Sequence, residues 1–271
     1  MEDRRSEQIF KPPLTRRAIG PNVECMRHPG LPSVHAALIA VSLLAWALLA
    51  WMAVDMAHPL VRLTMPGGSR WSASNAEAIF TMWAVMMAAM MLPSALPVVL
   101  AFVRLSLRQR ERARASAFVA AYLMAWWAFS AVATALQWVL QWRGWVDPMI
   151  ASRSGALDVV LLLLAGVYQF SPLKRACLAR CRSPLGFLIG GWRPGLAGAF
   201  AMGLQHGLFC LGCCWALMVL LFVGGVMNIA WVAALALAVA LEKTAPGGER
   251  IARVLGFVLI GAGLLKLLLS R

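Results

Sequence analysis

The sequence predicts an all-α fold: a polytopic transmembrane helix bundle of about seven spans, N-terminus inside and C-terminus outside. Three observations carry that expectation. Of 271 residues, 61% are hydrophobic and 13% charged, with a mean hydropathy of +0.75, whereas a soluble globular chain holds about 45–50% apolar and about 25% charged residues. The apolar residues fall in continuous runs of helical spanning length, not in the alternation a barrel wall would need. The basic residues crowd into every second connection. Disorder, a secreted disulfide scaffold and an ordinary cytosolic enzyme are thereby excluded.

The first 33 residues are polar and broken by Pro12, Pro13, Pro21, Pro29 and Pro32. They predict a basic, flexible cytoplasmic tail ahead of a transmembrane domain over 34–271. No apolar signal core follows Met1 and no small-residue cleavage site is offered, so the first run, Val34 to Met56, reads as a retained span. Further spans are expected at about Ala78–Val103, Ala115–Leu140, Gly155–Phe170, Leu196–Val223, Met227–Leu241 and Ile251–Leu269, the fourth and sixth being short. Asn228 reads as a cap for the sixth. Pro93 and Pro97 should bend or open the second, freeing carbonyls that something must satisfy.

The net charge of +14 has the size of a nucleic-acid footprint, but its distribution says otherwise. The tail, the connections after the second and fourth spans and the one after the sixth together hold 19 of the 25 basic residues. The positive-inside rule turns that bias into an orientation in a bacterial cytoplasmic (inner) membrane, with the charge facing anionic lipid and no nucleic acid. The connections are too short for a soluble catalytic domain. There is no phosphate-binding G-x-x-x-x-G-K-[ST] loop and no H-E-x-x-H zinc helix, so an ATP-driven pump would need a partner as its motor.

Sulfur is the chemistry that stands out. In the fifth span His206, Cys210, then Cys213 or Cys214, then Met218 recur at helical spacing, one ribbon of soft ligands beside Gln205. Thiolate, imidazole and thioether suit Cu(I) or Zn(II), not Mg(II) or Ca(II). The bland reading is that buried cysteine packs as a small hydrophobe, yet three cysteines in five residues, with a histidine one turn earlier, exceed what packing asks. In the second span Met82, Met86 and Met90 form one stripe and Met87 and Met91 the next. Neutral thioethers could pass Cu(I) along a helix, or methionine could be flexible filler. On the inner side Cys177 and Cys181 sit four apart, facing one way on a short helix among Lys174, Arg175, Arg180 and Arg182. That arrangement favours thiolate and predicts a two-thiolate metal port or a redox pair. Glu77, Asp158 and Glu242 are candidate ion or proton handles, although Glu242 with Lys243 reads first as an interfacial pair.

Three ordered strings resemble one family: Met82-Trp through Met90-Met91-Leu-Pro-Ser, Tyr168-Gln through Cys177 to Cys181-Arg-Ser-Pro, and His206-Gly through Cys210-Leu-Gly-Cys-Cys-Trp to Met218. It is the bacterial family of unknown function numbered 2182, described as predicted metal-binding integral membrane proteins. The likeness runs from about Glu77 to Lys243, and it implies a multi-pass membrane protein with a metal site.

The expectation is therefore a membrane protein that binds and carries or hands over a soft metal ion, copper before zinc, working with a soluble metallochaperone or a partner membrane subunit. In this reading the second-span methionines face the His/Cys ribbon, and Cys177/Cys181 receive or deliver ions inside. The alternatives are a membrane thiol-disulfide oxidoreductase using Cys210 and Cys213 with Cys177/Cys181, or a non-catalytic subunit of a membrane complex.

Overall fold

The computed structural model describes residues 30–67, 70–108 and 112–269; the tail expected before residue 30 lies outside them. The described residues form eleven helices and no strand. In order they are α1 (Gly30–Val54), α2 (Pro59–Arg62), α3 (Ala73–Arg108), α4 (Arg112–Trp142), α5 (Gly155–Tyr168), α6 (Pro172–Arg182), α7 (Pro184–Gly191), α8 (Gly195–Val219), α9 (Leu221–Gly224), α10 (Ile229–Thr244) and α11 (Gly248–Leu269).

Short polar residues set the boundaries. Ser72 and Asn75 cap α3 reciprocally, each side chain accepting from the other's backbone N–H. Ser171 and Ser183 each precede a proline at the first helical position and accept from Lys174 N–H and Gly186 N–H, starting α6 and α7. Asn228 accepts from Trp231 N–H at 3.2 Å, capping α10 as its sequence position implied.

Among the described residues five segments are long and apolar enough to cross a bilayer: Val34–Val54, Ala73–Ser106, Ala113–Trp142, Gly195–Gly224 and Gly248–Leu269. The pair α5 and α6, bent by 63° at its break, makes a sixth if taken as one span. The expected sixth run is the 16-residue α10, too short to count among these. Helices α3 and α8 are the buried centre, while α1, α4 and α11 turn apolar faces such as Leu44, Trp127, Val132, Val254, Phe257 and Leu268 outward. Such a surface needs a hydrocarbon solvent.

The centre closes because α8 approaches α4 through glycine. A Cβ at Gly203 would stand 2.2 Å from the Phe118 carbonyl oxygen, and one at Gly207 would stand 2.7 Å from Ala125 Cβ. These glycines are four apart, on one face, and let two backbones meet where any side chain would hold them apart.

Helix α3 runs unbroken through Pro93 and Pro97, so neither proline opens it. Pro93 has no N–H for the carbonyl of Ala89, four residues back. The indole Nε1–H of Trp46, from α1, donates to that carbonyl at 3.1 Å. Met91 O accepts from Ser94 Oγ at 3.0 Å and from the Tyr122 hydroxyl of α4 at 3.3 Å. The carbonyls around the proline turn thus pin α1 and α4 onto α3. Farther along, Trp83 Nε1 donates to Gln137 Oε1 at 2.9 Å, a buried hydrogen bond between α3 and α4.

Two outcomes follow for stability, both read by thermal unfolding of the full chain. Trp46→Phe should cost about 1–3 kcal/mol by stranding the Ala89 carbonyl, and most of that cost should vanish in a Pro93→Ala background, where a backbone N–H returns. Gly203→Ala should destabilise by about 1–3 kcal/mol through overpacking, whereas Gly261→Ala, with open space at its Cβ position, should stay within about 0.5 kcal/mol.

Candidate metal centre

Helix α8 delivers the ribbon the sequence showed, and all of it is buried: His206, Cys210, Cys213, Cys214 and Met218. Around Cys210 the neighbouring helices add their own groups. From α3, Met91 Sδ lies 3.9 Å from Cys214 Sγ. From α4, the Tyr122 hydroxyl is 3.2 Å from Cys210 Sγ. From α10, Lys243 Nζ reaches Cys210 Sγ at 3.0 Å, Ser94 Oγ at 3.1 Å and Met91 Sδ at 3.7 Å. From α6, Cys181 packs on the side of α8 that carries Cys210 and Cys213, near enough to interact with both.

That last placement redraws the expected inner port. Both cysteines of α6 do face one way, but that way is onto α8. Cys177 is buried, and a Cβ at Gly212 would fall 2.7 Å from its Sγ. Tyr168 closes the same seam by donating its hydroxyl to Gly212 O at 2.5 Å. Because Gly212 has no side chain, α6 sinks far enough for half-buried Cys181 to join the α8 cysteines. The expected port therefore lies against the ribbon and not apart from it.

The methionine stripe is brought in at one end. Met82, Met86, Met87 and Met90 are buried in the apolar core, and Met91 is the thioether that reaches sulfur and ammonium. Met82 stands about 13 Å farther along the axis of α3 than Met91, at 1.5 Å per residue. Met218 stands about 12 Å from Cys210 along α8 by the same rise. Both are core residues at a distance from the cluster. His206 lies one turn from Cys210, its ring centroid 5.6 Å from Tyr122 and 5.3 Å from Phe187, and its Nδ1 is buried without a hydrogen-bond partner.

The acidic candidates divide. Glu77 is exposed in an outer groove between α3 and α4 lined by Trp71, Phe80 and Trp138, about 21 Å along α3 from Met91 at 1.5 Å per residue. Glu242 is buried, but not in an interfacial pair with Lys243: its Oε2 accepts from Lys174 Nζ at 2.6 Å and its backbone carbonyl from Arg182 Nη1 at 2.6 Å. Adjacent helical residues point about 100° apart, so Glu242 locks α10 to α6 while Lys243 turns into the sulfur. Asp158 is likewise structural, ion-paired to Lys266 across α5 and α11. Sequence reasoning passed over Lys243, Tyr122 and Ser94 as site groups. Only Lys243 carried a signal, a cation at the end of an apolar run that its acidic neighbour could not face.

The donor chemistry fits a soft metal ion. Sulfur from Met91, Cys181, Cys210, Cys213 and Cys214 comes from three helices, with one unpartnered imidazole nitrogen a turn away from Cys210, and soft ligands of this kind suit Cu(I) or Zn(II), not Mg(II) or Ca(II). The Lys243 ammonium already stands among them as a cation. Among the described residues no three His, Cys, Asp or Glu side chains form a ready-made metal cage. Cys213 and Cys214 instead donate their thiols to Cys210 O, each at 3.0 Å, so ligation requires their side chains to turn from that carbonyl.

Residues 80–266 match the model of the PpoB2 family, described as a copper chaperone. The chain belongs to this family. The matched stretch contains the methionine stripe from Met82, both α6 cysteines, the α8 ribbon and Lys243, so the metal expected from the sequence is tied to copper, although the match does not carry the name of family 2182. No curated protein and no solved structure matches the chain.

The Lys174–Glu242 pair yields a stability outcome. Glu242→Gln should destabilise by about 3–5 kcal/mol because it leaves a buried ammonium without its carboxylate, and Lys174→Met with Glu242→Leu should recover most of that loss. Equal instability of the single and double variants would contradict it.

Proposed function

We propose that this protein receives Cu(I) within the bacterial cytoplasmic membrane and hands it to a partner. The observation that supports this most is the convergence of α3, α6, α8 and α10 on one buried cluster of thiol and thioether sulfur, in a member of a copper chaperone family. Thiolates hold Cu(I) tightly and thioethers hold it loosely, so a cluster of Cys181, Cys210, Cys213 and Cys214 with Met91 at its edge can accept an ion and let it go. His206, with a free nitrogen one turn away, offers a second station. Met82, Met86, Met87 and Met90 continue from Met91 toward the far end of α3.

In this reading α1, α3, α4, α5, α8, α10 and α11 are the seven spans, with residues 1–33 and α6 on the cytoplasmic side. Cys181, half-buried on α6, then stands where a soluble thiol carrier could reach the cluster. No group in the cluster supplies energy for pumping, so net movement follows the free-ion gradient or the affinity of the partner.

The test is metal analysis of the purified full-length protein after loading with Cu(I) under reducing conditions. Wild type should hold near-stoichiometric copper, and Cys210→Ser with Cys213→Ser and Cys214→Ser should lose it while staying helical and monodisperse. The proximity of Cys181 to Cys210 and Cys213 favours thiol exchange as the second reading. A metal-free wild type in which those cysteines cross-link reversibly under mild oxidation would sink the copper reading in its favour.

A further inference from the structure

We propose that Lys243 is an internal competitor for the cargo: its ammonium holds the sulfur site when no metal is there, and an incoming soft monovalent cation must displace it. This rests on the copper-binding reading and adds how the site gives its ion up.

Lys243 is 7% exposed, deep among α3, α8 and α10. A buried ammonium needs a counter-charge or a full set of acceptors. Among the described residues no carboxylate forms an ion pair with it, since Glu242 is paired to Lys174 and Asp158 to Lys266. Its contacts are Cys210 Sγ, Met91 Sδ and Ser94 Oγ. Thioether and thiol sulfur are weak hydrogen-bond acceptors but strong ligands for a soft ion. Two of the three atoms that hold the ammonium are thus atoms a soft cation would claim.

The two cations cannot share them. A metal bonded to Cys210 and Met91 would sit beside the ammonium at like charge in a low-dielectric interior, where repulsion is weakly screened. Lys243 must therefore swing away as the ion enters and can return as it leaves. Each cysteine that ligates the ion gives up its thiol proton to solvent, so the cluster exchanges proton for metal while the ammonium moves aside. An ammonium waiting to return lowers net affinity and helps release, as a protein that hands on its cargo requires.

Full-length wild type, Lys243→Met and Lys243→Gln are titrated with Cu(I), and separately with Ag(I), against a chromophoric chelator. Both neutral variants should bind about tenfold more tightly or better and release ions to the chelator correspondingly more slowly. Unchanged or weaker binding in a variant that keeps its helical content and monodispersity overturns the proposal. A wild-type measurement stands beside it in case neither variant folds. Amine-reactive labelling of Lys243 should be suppressed in metal-free protein and should rise on Ag(I) loading, and labelling that stays suppressed in the loaded protein also overturns the proposal. Failure of wild type to bind either ion would instead count against copper binding itself, so the two ideas fail separately.

Discussion

A polar atom at membrane depth has no water to turn to, so the protein must supply its partner. That constraint explains more of this structure than any single contact. The carbonyl that Pro93 strands on α3 is taken by the Trp46 indole, which fixes α1. The Tyr122 hydroxyl lies within reach of both Met91 O and Cys210 Sγ, which ties α4 to α3 and α8. Lys174 finds Glu242, Asp158 finds Lys266, and Lys243 is left with sulfur and a serine. Where polar atoms are satisfied by each other the bundle is built; where they are satisfied by sulfur there is chemistry.

Missing side chains set the distances at which that chemistry occurs. Gly203 and Gly207 bring α8 against α4 within reach of Tyr122, and Gly212 brings α6 against α8 within reach of Cys181. One helix therefore carries both candidate ligands and the flat surfaces that bring the neighbours' candidate ligands close. The ribbon His206–Cys210–Cys213 and the small residues Gly203, Gly207 and Gly212 interleave along α8, so neighbouring helices pack closely around Cys210.

Much of this was legible in the sequence, and the rest was hidden for a definite reason. Helix positions followed from the apolar runs, because hydrocarbon leaves few alternatives, and the Asn228 cap followed from residue type. The ribbon on α8 and the pairing of Cys177 with Cys181 on one face followed from helical spacing. Tertiary pairing was not legible: Lys174 and Glu242 are 68 residues apart and Asp158 and Lys266 are 108 apart, and nothing local marks them as partners. The joining of Cys181 to the α8 cluster depends on the α5–α6 bend and on Gly212, neither of which is a ligand. The role of Lys243 is not legible from its neighbour Glu242, because a helix turns adjacent side chains away from each other.

The central claim is that one cluster of sulfur, drawn from several helices, is the copper site. X-ray absorption at the copper edge, on full-length protein loaded with Cu(I) in lipid, addresses it most directly. The first shell should be made of sulfur, losing a scatterer in Cys181→Ser and a longer, weaker one in Met91→Leu. A first shell of nitrogen and oxygen, or a sulfur shell indifferent to both substitutions, would place the copper elsewhere and contradict it.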